Sequence, residues 1–172
     1  MELVKGPDSG RDQALCRLVA QYQTALLRMC YLYLHDTALA EDAVQETFIK
    51  AYRAMDGLRN ECGEKSWLMR IAINTCRDMR RSGWFRHVDR RVAPETLPET
   101  SVPFQEADEA LTLAIMRLPI KCREVVILHY YQNMRVAEIA ASLHVTPSTV
   151  SNQLGRAKRK LRSMLERGYS HE

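Results

Sequence analysis

The sequence predicts an all-α protein: two small helical domains joined by a flexible linker, the second carrying a helix-turn-helix. Three observations lead there. Apolar residues recur at three- and four-residue steps through most of the chain, which lays one stripe along each helix. No segment alternates apolar and polar residues with the period of two that a half-buried strand requires, so no sheet is expected. Three of the six prolines, Pro94, Pro98 and Pro103, fall in one short stretch of acidic and small polar residues between the two helical parts.

Taken in order, Leu15, Leu18, Val19, Tyr22, Leu26, Met29 and Tyr33 form the stripe of a first helix. Asp36 and Thr37 offer an N-cap before ALAEDAVQETFIKAYRAM, whose stripe is Ala40, Val44, Phe48, Ala51 and Met55. DGLRNECGEK, with Gly57 and Gly63, reads as a loop. Ser66 is the expected cap of a third helix, WLMRIAINTCRDMRR, with Trp67, Ile71, Thr75 and Met79 along one face. From Trp84 to about Asp108 the prolines remove backbone donors and restrict their predecessors, so a continuous helix gives way to a linker. Helical patterning resumes at EADEALTLAIMRL, stops at Pro119, and continues through IKCREVVILHYYQN. The expected organisation is a first domain over residues 12–83, a linker over 84–108 and a second domain over 109–168.

A chain of 172 residues allows one ordinary domain or two small ones. With 46% hydrophobic and 27% charged residues it holds enough apolar material for folded cores. No apolar run approaches the roughly 20 residues of a membrane span, and MELVKGPDSGRDQ lacks the apolar core of a signal peptide. A cytoplasmic location without membrane insertion is therefore expected. The five cysteines, Cys16, Cys30, Cys62, Cys76 and Cys122, are odd in number and show no CxxC pair. They read as reduced, mostly buried thiols rather than as a zinc or disulfide framework. No metal site and no cofactor are expected.

The last part of the chain, VAEIAASLHVTPSTVSNQLGRAKRKL from Val136 to Leu161, has the pattern of a helix-turn-helix. Ala140 and Ala141 stand where the two helices should cross, and Ile139, Leu143, Val145, Val150 and Leu154 are spaced to lock them together. Thr146 is a natural N-cap and Pro147 suits the first helical position. His144 occupies the turn position where glycine is common, and histidine tolerates the left-handed region better than most residues. Ser148, Thr149, Ser151, Asn152, Gln153 and Arg156 are the expected outward residues, able to meet base edges or phosphates. Between Thr146 and Gly168 lie Arg156, Lys158, Arg159, Lys160, Arg162 and Arg167 against Glu166 alone. This local excess is larger than the net +4 of the whole chain, and it marks a phosphate-binding surface rather than an evenly solvated hairpin.

AEDAVQETF, then WLMRIAIN, then a helix-turn-helix built from REVV, EIA, STV and RAK resembles, in combination, bacterial RNA polymerase sigma factors of the extracytoplasmic-function (ECF) group. The resemblance covers nearly the whole chain: the first part is similar to their second domain and the last part to their fourth. It implies that Ala40, Glu41, Asp42, Gln45, Glu46 and Phe48 dock on the clamp helices of the polymerase β′ subunit, an acidic face with an aromatic anchor. Spacing alone places Phe48 in the domain's own core. The resemblance further implies that the helix after the loop, with the loop from Asp56 to Lys65, captures the melted −10 element as a single strand. Asn74 matches the family's base-reading asparagine, and Arg70, Arg77, Arg80 and Arg81 are candidates for tracking phosphates. Trp67 is either a stacking platform or, as its stripe position suggests, a core residue.

By the same resemblance the second helix of the pair enters the major groove of the −35 element, with Arg156 matching a family arginine. Many relatives have an S-R-L run where this chain has N-Q-L. Gln153 would pair with adenine where arginine favours guanine, so the preferred bases differ. Lys158, Arg159 and Lys160 read as phosphate contacts or as a solvated tail. The implied partners are core RNA polymerase, through the β′ clamp helices and the β flap, promoter DNA, and an anti-sigma factor. The rival readings are a stand-alone helix-turn-helix regulator, which would bind symmetric sites tightly by itself, and a DNA-acting enzyme. The second needs a nucleophile among positive residues or a metal-binding carboxylate cluster, and neither stands out; Ser66 and Ser82 are explained as cap and loop residues.

Overall fold

A computed structural model describes residues 9–57, 63–82 and 106–169. Among them there are seven α-helices and no strand. Helices α1 (Ser9–Leu34), α2 (Thr37–Ala54) and α3 (Glu64–Arg81) pack on one another as a first unit. Helices α4 (Glu106–Met116), α5 (Ile120–Val126), α6 (Val136–Leu143) and α7 (Pro147–Tyr169) form a second, with α7 lying against the other three.

In the first unit the α1 stripe faces inward as its spacing demands: Leu18, Leu26, Met29 and Tyr33 are buried, and Leu15, Val19 and Tyr22 pack against them. The α1–α2 corner is short because Asp36 caps α2, its side chain accepting from the Leu39 N–H at 2.8 Å. Ala40, Val44, Phe48 and Ala51 are buried along α2. The start of α3 differs from expectation. Gly63, not Ser66, is its N-cap, with φ 69° and ψ 138°, a backbone conformation that suits only glycine. Ser66 therefore lies inside the first turn, where its Oγ meets Glu138 at 3.5 Å. The buried face of α3 is also turned from the expected stripe: Leu68, Met69, Ala72, Ile73, Thr75 and Cys76 are buried, whereas Trp67, Ile71 and Met79 sit at the margin. Two neighbouring helices, α1 and α2, cover a wider arc than one stripe supplies. Within that core the Cys76 thiol donates to Cys30 Sγ at 3.6 Å, and this bond with burial pushes its pKa up, so the pair stays protonated and unreactive. Cys122 is buried as well, while Cys16 is exposed and Cys62 lies outside the described residues.

In the second unit, α5 does not end as an α-helix. Residues Ile127–Tyr131 continue it as a π turn that closes with the Gln132 N–H on the Ile127 carbonyl at 3.2 Å. The chain then reverses through Asn133 at φ 54° and enters α6. The turn between α6 and α7 forms at His144, which takes φ 55° and ψ 45°, the left-handed position expected of it. The next N–H, of Val145, reaches back to the Ala140 carbonyl at 3.0 Å. That geometry turns Val145 outward, so it does not lock the helices; Ile139, Leu143, Val150 and Leu154 do. Ala140 is buried at the crossing and Ala141 is exposed. Thr146 caps α7 through its hydroxyl, which accepts from the Thr149 N–H at 3.2 Å.

The two units share one apolar core, since α1 and α3 touch α4, α5, the π turn and α6. Residues 83–105, most of the expected linker, lie outside the described residues, as do 58–62 of the expected loop; α4 begins at Glu106, inside the stretch assigned to the linker.

Replacing Asp36 with alanine removes the α2 cap and should lower stability by about 1 kcal/mol. Asp36→Ser should restore most of it, both read by urea denaturation. Leu68→Ala, in the fully buried centre, should lower stability by about 2–5 kcal/mol.

Candidate nucleic-acid interface

Helix α7 separates its faces cleanly. Val150, Leu154 and Ala157 point into the core. At about 100° per residue, Ser148, Asn152 and Arg159 lie at the centre of the opposite, exposed face. Arg156 flanks them on one side and Ser151 on the other. Thr149 and Gln153 are half-buried beside Arg156. The first turn is ordered by its own hydroxyls: Thr146 Oγ1 meets Ser148 Oγ at 2.9 Å and Thr149 Oγ1 at 2.8 Å. Lys158 is two residues, or roughly 200°, from Arg156, and its ammonium stands 5.9 Å from the Tyr130 ring centroid. It is turned toward the π turn rather than toward the Arg156 side.

Helix α3 carries the other candidates. Arg70 and Arg81 are exposed, and Trp67, Asn74, Arg77 and Arg80 are half-buried. Trp67 packs against the core, as its stripe position suggests. Three of these residues border an open cleft of about 340 Å³, where Arg77, Arg80 and Arg81 of α3 meet Lys121 and Glu124 of α5 and Tyr33 of α1. Arg77 is already engaged there. Its Nε and Nη2 donate to the two oxygens of Glu124 at 2.7 and 2.8 Å, and the Tyr33 hydroxyl donates to Glu124 Oε1 at 2.9 Å. Burial raises the Tyr33 pKa well above its ordinary value, and the neighbouring carboxylate raises it further. Arg70, at the other side of the helix, donates to His144 Nε2 at 2.7 Å, in the turn of the helix-turn-helix.

On α2, Glu41, Asp42 and Gln45 are exposed and Glu46 is half-buried, while Ala40 and Phe48 face the core. Phe48, 8% exposed, thus takes the position its spacing predicts, and the exposed apolar residue among the acidic ones is Ile49, at 45%.

Comparison with known proteins then assigns the chain. The Sigma-70 region 2 family matches residues 18–86, and the Sigma-70, region 4 family matches residues 108–161. The RNA polymerase sigma-E factor of Streptomyces avermitilis is 35% identical over 84% of this chain and 80% of its own length. The ECF RNA polymerase sigma factor SigL of Mycobacterium tuberculosis is 30% identical over 96% of this chain and 97% of its own. The chain belongs to the ECF sigma factors. In structure it is similar to CnrH in complex with the cytosolic domain of CnrY, with a TM-score of 0.68, 26% identity, and coverage of 92% of this chain and 91% of that one. Sigma factors are promoter-specificity subunits of RNA polymerase and are not enzymes. No described helix of this sigma factor is long and apolar enough to cross a membrane.

Region 2 of this sigma factor holds α2 and α3; region 4 holds the helix-turn-helix. The sequence did not point to Tyr33, Ile49, Lys121, Arg123 or Glu124. Ile49 is recoverable from the α2 helical wheel, one position past the aromatic that drew attention. Arg123 and Glu124 carried a signal as well: two charges between Cys122 and a run of four apolar residues, on a helix with no polar face to hold them.

The raised Tyr33 pKa has a sign. Its contribution to stability is complete below pH about 10, the ordinary value, and is lost as the pH rises above that, because the opened chain ionises more readily than the closed one. Alkaline titration followed at 295 nm should therefore show one late, cooperative tyrosine step that Tyr33→Phe removes.

Proposed function

We propose that this ECF sigma factor binds core RNA polymerase through α2 and directs initiation by reading the −10 strand with α3 and the −35 duplex with α7. The observation that carries the reading is the pairing of two separated surfaces on one chain: a basic, half-buried helix face in region 2 and an exposed polar face with Arg156 and Arg159 in region 4. Neither is needed twice over in a stand-alone regulator.

Each surface has a physical task. Ile49 serves as the apolar anchor of the docking face, ringed by Glu41, Asp42, Gln45 and Glu46, which suits a basic partner helix. Ala40 and Phe48 support that face from within. Asn74 presents an amide to an extruded base, and Arg70, Arg80 and Arg81 follow the strand. In the major groove, Ser148, Asn152, Gln153 and Arg156 at the N-terminal part of α7 meet base edges, with Arg159 and Lys160 on phosphates. Gln153 makes adenine the favoured partner at one position of the −35 element. Lys158 and Ser151, on the opposite flank, contribute to the general positive field. The protein acts in the cytoplasm beside the polymerase, uses no cofactor and has no catalysis of its own. An anti-sigma factor is its regulatory partner, as CnrY is found with the similar CnrH.

Reconstituted transcription tests the whole reading: this chain with core polymerase should yield promoter-dependent initiation. Tight binding of a palindrome by the chain alone, with no initiation, would replace it with the regulator. Ile49→Asp should weaken core binding at least tenfold, by roughly the 2 kcal/mol of a hot-spot residue, in a fluorescence competition assay. Asn74→Ala should impair promoter opening and leave core binding intact, while Arg156→Ala should lose roughly 1–3 kcal/mol of −35 affinity if it makes a bidentate base contact.

A further inference from the structure

The Arg77–Glu124 contact joins a candidate strand-tracking arginine of region 2 to an acidic residue of region 4, 47 positions along the chain. The carboxylate is 5% exposed, and it is reached by a fork from Arg77 and a hydroxyl from Tyr33. A carboxylate and a phosphate present the same two-oxygen face to a guanidinium. The cations around it reinforce the likeness: Arg80, Arg81 and Lys121 border the same cleft, so Glu124 sits where a backbone phosphate would be surrounded by four positive groups.

We propose that Glu124 is a built-in stand-in for a phosphate of the single strand, holding Arg77 and the α3 cleft until promoter DNA replaces it. The inference rests on the reading of α3 as the −10 strand helix. Arg77 cannot give the same fork to both partners, so strand capture and this interdomain contact exclude each other. Releasing it also releases neighbouring bonds between the two regions, because Arg70 holds the His144 turn and Lys65 donates to the Gln132 carbonyl. Region 4 must therefore withdraw from α3 before the strand enters. The chain is self-restrained in its closed form, and part of the free energy of promoter capture is used to separate its own domains.

The test uses the full chain, small-angle X-ray scattering, and fluorescence anisotropy with a labelled mixed-sequence single-stranded 20-mer, since phosphate tracking does not depend on base order. Glu124→Gln, which keeps the shape and removes the charge, should expand the molecule and tighten DNA binding roughly tenfold, the scale of a charged hydrogen-bonded pair. Tyr33→Phe, which disturbs Glu124 without touching Arg77, should tighten it roughly threefold; it carries the test if Glu124→Gln fails to fold. Arg77→Gln should expand the molecule and weaken DNA binding. If the first two variants stay compact with unchanged affinity while Arg77→Gln weakens binding, the latch is overturned and the strand reading of α3 survives. If all three expand and none changes affinity, the latch holds mechanically but Arg77 is no strand contact, which overturns both.

Discussion

Two adjacent residues of α5 hold the two halves of the molecule together. Arg123 and Glu124 are both buried and carry opposite charges, and they reach in different directions from one helix turn. Glu124 takes Arg77 and Tyr33. Arg123 donates to the Leu118 carbonyl at 3.0 Å, to the Met116 carbonyl, and to the Tyr33 carbonyl at 3.1 Å. It thereby satisfies carbonyls left open at the C-terminal ends of α4 and α1, where a cation is also favoured by the helix dipoles. Buried ions of this kind add little net stability once their dehydration is counted. What they supply is geometry: only one placement of α5 against α1, α3 and α4 satisfies all the donors. The apolar core supplies the adhesion and the charge pair supplies the register.

This arrangement explains what could be read from the sequence. Periodicity revealed the helices because each is amphipathic and its stripe reports burial directly. The Asp36 and Thr146 caps were legible because their chemistry is local, a side chain bonding an N–H three residues on. His144 was recognised as the turn residue for the same reason. The misreadings involve tertiary context. Ser66 looks like a cap, but Gly63 can adopt a positive φ and starts α3 earlier. The α3 face was drawn one stripe wide because a sequence does not announce that two helices will cover it. Val145 looked like a lock until the left-handed turn rotated it outward.

The candidate site divides in the same way. Residues whose role depends on their own helix, such as Asn152, Arg156 and Arg159, fall on the expected exposed face of α7. Residues whose availability depends on the opposite domain could not be judged. Arg77 is a free cation in the sequence and one arm of an interdomain bond in the fold. Phe48 and Ile49 are neighbours in the chain, yet one helical step of about 100° puts the first inside and the second outside. An aromatic residue attracts the eye as an anchor, while the wheel favours the aliphatic one beside it.

The π turn at Ile127–Tyr131 bears on how such a chain tolerates changes of length. It fits one residue more than an α-helical path would between Ile127 and Gln132. That residue sets the angle at which Gln132 leaves the helix, with its amide on the Ala25 carbonyl of α1. Deleting any one residue of the turn would restore α-helical spacing and swing everything downstream by roughly a quarter turn. The composition would hardly change and every residue of α7 would survive. Its reading face would nevertheless point elsewhere, so in this chain the aim of the DNA-reading helix is a matter of counting as much as of chemistry.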